Sequence, residues 1–303
     1  MQDLIIIGGG PAGITAGIYA SRQNIKTLLI TKSFGGQMAR KTVDIENYPG
    51  FEKISGTEII SRFEKQLRGQ NIEILIDEVG SLKKKGDEFF VSTKGKKQFN
   101  SKTVIVATGA DPRPLEVKGE KEFIGRGVSY CTLCDGPVFA GKNVAVIGGG
   151  NSALEAAIFI SGYAKKVYIL ERGSHAKGDK IIHDKVLKME NIEIIVNVGL
   201  KEIRGKKLVD SLIYEDTKTK EEKILEIEGI FVEIGLQPAT SFLKGQVNFN
   251  KKDEIIVDLK TSQTNVSGLF TAGDVDDIPY KQIIIAAGEG AKAALSVYNY
   301  LKK

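Results

Sequence analysis

The sequence predicts an α/β protein of two doubly wound, Rossmann-like domains. One is split by insertion of the other, and each carries a small antiparallel β-meander. Three observations lead there. A strand, glycine turn and helix (Leu4–Ile7, Gly8-Gly9-Gly10-Pro11-Ala12-Gly13, an apolar run through Ala20) recurs as Val144–Ile147, Gly148-Gly149-Gly150-Asn151-Ser152-Ala153 and a run through Ile160. Each copy leads to a second apolar run, Thr27–Ile30 in one and Lys166–Leu170 in the other, which completes an opening β-α-β. Late in the chain, Gly268–Asp274 repeats the look of Val104–Ala110, a short strand ending in a glycine turn, so the first domain resumes after the second. A lone glycine fingerprint carries little information; two, each between a strand and a helix, specify the fold.

In chain order, Gly8 allows the tight turn, Gly10 lets the backbone approach a pyrophosphate, and Gly13 lets helix and strand pack closely. The helix start then offers N–H donors and partial positive charge to phosphates. An acid is expected about 20 residues on, to hold a ribose; the strand instead ends at Thr31, which can still bond a hydroxyl. Glu73–Ile76 and Phe89–Ser92 read as meander strands, and the lysines at 83–85 and 94–97 as a solvated hairpin surface. Pro112 and Pro114 mark a crossing linker. The layout is 1–112 plus 243–303 for the first domain and 113–242 for the second. A final helix from about Gln282 to Leu301 carries the small residues Ala286, Ala287 and Gly288, where a backbone or ligand can approach.

At 303 residues the chain can build two cores, and 42% hydrophobic with 27% charged residues is ordinary for a globular protein. Lys+Arg 43 against Asp+Glu 38 gives +5, compatible with acidic protein partners and too diffuse for nucleic acid. No apolar run approaches the roughly 20 residues of a membrane span, and no signal peptide is evident, so a cytoplasmic location is expected.

The only two cysteines stand in Cys131-Thr132-Leu133-Cys134-Asp135. In a reducing compartment such a pair is more often catalytic or metal-binding than a structural staple. Structural zinc needs four ligands, and the chain adds only His175 and His183 to two sulfurs, so no metal is expected. Asp135 is placed to move the proton that accompanies a two-electron transfer; capping the turn beside Gly136 is its other reading.

Together these motifs resemble the low-molecular-weight thioredoxin reductases, FAD-dependent pyridine nucleotide-disulfide oxidoreductases. Gly8–Gly13, Gly35-Gly36-Gln37, Ile45–Gly50, Ala107-Thr108-Gly109, Tyr130–Gly136, Gly148–Ala153, Phe231–Pro238, Gly273-Asp274-Val275 and Tyr280-Lys281-Gln282 match in order along the whole chain. The resemblance implies an FAD domain at 1–112 and 243–303, an inserted NAD(P)-type domain carrying the cysteines, and a homodimer. It implies FAD contacts from Gly8, Gly10, Pro11, Ala12, Gly13, Thr31, Gly36, Gln37, Asn47, Ala107, Thr108, Gly109, Gly273, Asp274, Lys281, Gln282 and Ile283. The nicotinamide cofactor falls to Gly148, Gly150, Asn151, Ser152, Ala153, Glu171 and Arg172. By the same analogy Cys134 lies against the flavin and Cys131 attacks the disulfide of a thioredoxin-like protein, with domain rotation near 112 and 243 as the gating step.

One stretch departs from the family's NADPH-using members. Where they carry a His-Arg-Arg-x-x-x-Arg cluster for a 2′-phosphate, this chain reads Glu171-Arg172-Gly173-Ser174-His175-Ala176-Lys177. Glu171 stands where an acid accepts both hydroxyls of an adenosine ribose, and a phosphate there would meet like charge, up to ~4 kcal/mol at about 4 Å and an effective dielectric near 20. NADH is therefore expected in preference to NADPH. Glutamate at this place also resembles the NADH-linked peroxiredoxin reductases, whose extra N-terminal thioredoxin-like domain is not expected here. Two alternatives stand beside this: a ferredoxin-fed thioredoxin reductase, which the intact Gly148–Ala153 fingerprint disfavours, and a redox-sensing flavoprotein without turnover. A peroxiredoxin adaptor is a further candidate for the disulfide substrate.

Overall fold

The computed structural model describes residues 1–39, 44–45 and 47–302, with the side chains of Asp44, Leu133 and Cys134 outside that description. The chain forms two compact units, one of residues 1–39, 44–111 and 237–302, the other of 112–236. The return to the first unit falls at 237 rather than 243 because Ala239 bonds Thr108 and Gly109 and Phe242 packs against the core that holds Ile7 and Val106.

The first unit is built on Gln2–Gly9, whose Leu4-Ile5-Ile6-Ile7 run is buried on both faces. A continuous apolar run suits a central parallel strand. Thr27–Phe34 pairs with it on one side and Gln98–Val106 on the other, both parallel. Leu269–Thr271 extends the parallel set beside Gln98–Val106, and Glu73–Ile76, expected as a meander strand, instead pairs parallel with Thr27–Phe34, so the antiparallel strands of this sheet begin only at Val79. Glu88–Thr93 and Val79–Lys85 add antiparallel strands at the far edge, completing seven. Thr27–Phe34 outruns the expected Ile30 because the register shifts between Ile7 and Gly9 and Gly9 then pairs with Phe34.

Helix Pro11–Arg22 packs against the terminal helix Ile283–Leu301 through small residues, Ala12 and Ala16 against Ala286, Ala293 and Ala294. A Cβ on Gly290 would stand 2.1 Å from the Ala12 carbonyl oxygen, so the two backbones touch there. Backbone contact therefore accounts for part of the small-residue pattern of this helix.

The second unit repeats the plan. Its parallel sheet runs Val128–Ser129, Gly229–Val232, Asn143–Ile147, Lys166–Leu170, Ile192–Ile195. A separate three-stranded antiparallel meander follows, Val198–Gly205, Val209–Asp216 and Glu222–Glu226. The helix Asn151–Ser161 covers one sheet face with Leu154, Ala157 and Ile160, and the meander's Ile203 and Leu212 pack with Ala145 and Ile230. The α/β class, the doubly wound sheets and a meander in each unit are as the sequence predicts.

Candidate active site

In the first unit the glycine turn is a tight cradle. Gly8 has φ +120, and a Cβ there would stand 2.2 Å from the Ala107 carbonyl oxygen. A Cβ on Gly13 would stand 2.0 Å from the Gly8 oxygen, whereas Gly10 faces open space. Gly10 caps the helix without a side-chain bond, and Pro11 follows with no N–H of its own. The donors of Ala12 and Gly13 are left for an anion. A Cβ on Gly36 would stand 3.7 Å from the Gly10 Cα. The Thr31 hydroxyl rests against Gly9 and donates to the Ser33 carbonyl, 2.6 Å. Its proton is thus committed, and it can meet a ligand hydroxyl only as an acceptor.

The other residues expected at this cradle belong to the same unit. Gln37 donates to the Ala110 carbonyl, 2.5 Å, and Asn47 to the Gln282 side chain, 3.3 Å. Thr108 donates to the Ala239 carbonyl, 2.9 Å, and Gly109 adopts φ +65. Gly273 has φ +82, a Cβ there would stand 3.0 Å from the Ala12 Cβ, and half-buried Asp274 follows. Gln282 opens the terminal helix without a side-chain cap, with Ile283 as its first residue. Lys281 turns to protein partners, an ion pair with Glu254 at 3.3 Å and a bond to the Asp276 carbonyl. Asp276 itself is fully buried, accepting from Thr271 at 2.7 Å, and burial pushes its carboxyl up to about 6.

The second unit holds the matching cradle. Gly148 has φ +125, with its Cβ position 2.3 Å from the Glu233 carbonyl oxygen, and Gly150 again faces open space at an uncapped helix start. Asn151 is spoken for: its amide exchanges bonds of 2.7 and 2.8 Å with Asp179. Ser152 continues the first turn and Ala153 is buried beneath the loop. Glu171 follows strand Lys166–Leu170 and folds over the cradle. One carboxylate oxygen accepts the Gly173 N–H, 2.6 Å, and the other lies 2.5 Å from where a Gly149 Cβ would be. Glu171 and Thr31 thus stand at equivalent places in the two repeats, each against the middle glycine. Lys177 donates its backbone N–H to the Gly149 carbonyl, 2.7 Å. Among the described residues the exposed Arg172 and Lys177 side chains make no ion pair.

The cysteine segment belongs to this second unit. Half-buried Cys131 precedes a single helical turn, Thr132–Asp135. The Ser129 hydroxyl accepts the Cys131 N–H, 3.0 Å, and donates to the Asp135 carboxylate, 2.6 Å. The Thr132 hydroxyl donates to Glu233, 3.1 Å, and the Glu233 N–H returns to Ile147 at the foot of the glycine cradle, 2.9 Å. One glutamate therefore ties the cysteine segment to the cradle. Tyr130 donates to Glu120, whose buried carboxylate also accepts the N–H groups of Leu115 and Glu116 at 2.7 and 2.8 Å. Burial and the Glu120 charge push the Tyr130 phenol well above its usual range. The expected role of the Cys134 side chain lies outside the described residues. Among those described, no three His, Cys, Asp or Glu side chains gather as a metal site, and no helix is long and apolar enough to cross a membrane.

Residues 2–290 match the model of the family described as pyridine nucleotide-disulphide oxidoreductase. The chain belongs to that family. Among solved structures it is similar to the thioredoxin reductases of Lactococcus lactis (38% identical, 100% of this chain and 99% of that one, TM-score 0.94) and T. acidophilum (38%, 100% and 99%, TM-score 0.90). Among curated proteins it is similar to "NADH dehydrogenase" of Bacillus subtilis, 42% identical over 299 residues, and to a component of the alkyl hydroperoxide reductase of Escherichia coli, 42% over 304. It aligns over 99% of its own length with both and spans 58% of theirs. The family is that of FAD-dependent disulfide oxidoreductases using a reduced pyridine nucleotide. Both cradles fit that chemistry, each pairing a glycine that no side chain could replace with an uncapped helix start opposite open space.

Sequence reasoning missed four residues that hold these segments in place, Ser129, Glu233, Glu120 and Asp276. Ser129 carried a local signal, a hydroxyl two residues ahead of the N–H it accepts. Glu233, Glu120 and Asp276 carried none, since each acts on segments remote in sequence or by burial.

Proposed function

We propose that the chain is a disulfide reductase. It passes two electrons from a reduced nicotinamide through FAD and the Cys131/Cys134 pair to the disulfide of a thioredoxin-like protein. The observation that carries this reading is the Glu233 tie, which fixes the cysteine segment to a nucleotide cradle within one unit. Bound FAD would supply the relay between a hydride donor and a sulfur pair. The first cradle (Gly8, Gly10, Ala12, Gly13) would hold its pyrophosphate, with Thr31 accepting from the adenosine ribose.

The sulfur chemistry needs only the chain's own groups. The Cys131 thiolate attacks one partner sulfur, forming a mixed disulfide and releasing the other. Cys134 then displaces the partner from Cys131, closing the enzyme disulfide. The dithiol loses two electrons, the partner gains them, and both thiol protons end on the partner, with Asp135 as the carrier.

Glu171 supports NADH over NADPH as the donor. Its free oxygen faces the loop where an adenosine ribose would lie, and it offers acceptance to hydroxyls and repulsion to a phosphate. The name of the B. subtilis relative agrees with that choice. Steady-state reduction of oxidised thioredoxin with each cofactor tests the whole reading. Turnover with NADH at ten or more times the NADPH efficiency is expected. A tenfold NADPH preference would reverse the choice of donor, and no turnover with either would remove thioredoxin as substrate. The second reading, reduction of a peroxiredoxin or its adaptor, draws on the similarity to the E. coli alkyl hydroperoxide reductase component. Substituting a peroxiredoxin and peroxide for thioredoxin separates the two.

A further inference from the structure

Ser129 ends the edge strand Val128–Ser129, which pairs with Ile230 and Phe231 of the parallel sheet. The strand fixes its backbone, and the side chain is only 5% exposed. Its hydroxyl accepts the Cys131 N–H, 3.0 Å, and gives its single proton to Asp135 Oδ2, 2.6 Å; the Cys131 carbonyl, 3.2 Å away, competes for that proton at longer range. The Asp135 N–H also closes on the Cys131 carbonyl, 3.1 Å. One hydroxyl therefore sets both the backbone at Cys131 and the orientation of the Asp135 carboxylate.

We propose that Ser129 is a positioning residue for sulfur exchange, holding Asp135 so that it returns a proton to the sulfur that departs when Cys131 attacks. The proposal rests on the disulfide-reductase reading above. When Cys131 ionises, its proton passes to Asp135. As the sulfur–sulfur bond from Cys131 forms and the partner's own breaks, that proton goes to the leaving thiolate, so charge and electrons balance. Serine suits the task because a hydroxyl accepts and donates at once. Threonine keeps both capacities and also tolerates a strand, whereas alanine has neither.

The leaving group supplies a readout that a merely structural role would not move. An alkyl thiolate needs the proton, and a nitroaryl thiolate departs without it. The FAD-loaded enzyme, chemically reduced beforehand so that no nicotinamide is involved, is mixed with excess of either a Cys-x-x-Cys peptide disulfide or a nitroaryl disulfide. Ser129→Ala and Asp135→Asn should each slow the peptide reaction about tenfold or more, and the double variant no further, since they act on one proton. The aryl reaction should stay within about twofold, and Ser129→Thr should restore the peptide rate. Equal slowing of both disulfides, losses that multiply in the double variant, or an unchanged Ser129→Ala would overturn the role given to Ser129. A wild-type enzyme that reduces neither disulfide would overturn the disulfide-reductase reading itself.

Discussion

Replacing Glu171 with glutamine changes the charge over the second cradle and almost nothing else. Glutamine keeps the length and an oxygen for the Gly173 N–H, which Glu171 holds at 2.6 Å. A 2′-phosphate on a ribose at that carboxylate would lie roughly 4 Å from it, a repulsion of up to ~4 kcal/mol at an effective dielectric near 20. Arg172 and Lys177 are exposed beside it and make no ion pair among the described residues, so they offset part of that cost for a phosphate. A net effect of ~2 kcal/mol is a reasonable remainder, close to 30-fold in a ratio of efficiencies. The assay is kcat/KM for NADH and NADPH in wild type and Glu171→Gln, with thermal unfolding to show that the fold is kept. The NADH-to-NADPH ratio should fall about 30-fold, mostly through a gain with NADPH. A ratio unchanged within about threefold would refute the assignment of Glu171 to cofactor choice.

Three further outcomes are expected, two from the geometry and one from the proposed sulfur chemistry. Gly290→Ala places a Cβ 2.1 Å from the Ala12 carbonyl; separation of the helices should cost about 1–3 kcal/mol and lower Tm by several degrees in calorimetry. The Asp276 carboxyl, raised to about 6 by burial, stays protonated in the folded chain at pH values where the unfolded chain has released its proton. Its contribution to stability therefore falls as pH rises from about 4 to about 6, and denaturant titrations should show Asp276→Asn gaining on wild type across that window. Cys134→Ser should abolish protein-disulfide reduction and leave the flavin spectrum of the bound cofactor in place.

The fold was legible because its signals are local. Leu4–Ile7 and Val144–Ile147 each lead into a glycine turn and a helix, and the structure places both as central parallel strands. The roles of Gly8 and Gly13 were readable for the same reason, since chain geometry alone forbids a Cβ there. What escaped is tertiary. The return crossing was set near 243 because nothing in the sequence shows that Ala239 bonds Thr108 and Gly109 or that Phe242 packs beside Ile7. The ion pair of Lys281 with Glu254, 27 residues away in sequence, gave no sequence signal. One local detail escaped as well: whether Thr31 donates or accepts was open until the Ser33 carbonyl, two residues on, took its proton. Glu171 is intermediate: its place after the strand was readable, but its fold over Gly149 was not.

The most direct test of the account is an anaerobic titration of the FAD-loaded chain with two equivalents of NADH, enough to fill both the cysteine pair and the flavin, followed by excess oxidised thioredoxin. The flavin band should bleach on the first addition and return on the second, and in the Cys134→Ser variant it should bleach and stay bleached. A flavin that NADH and NADPH both leave oxidised, while reduced ferredoxin bleaches it, would contradict the central claim.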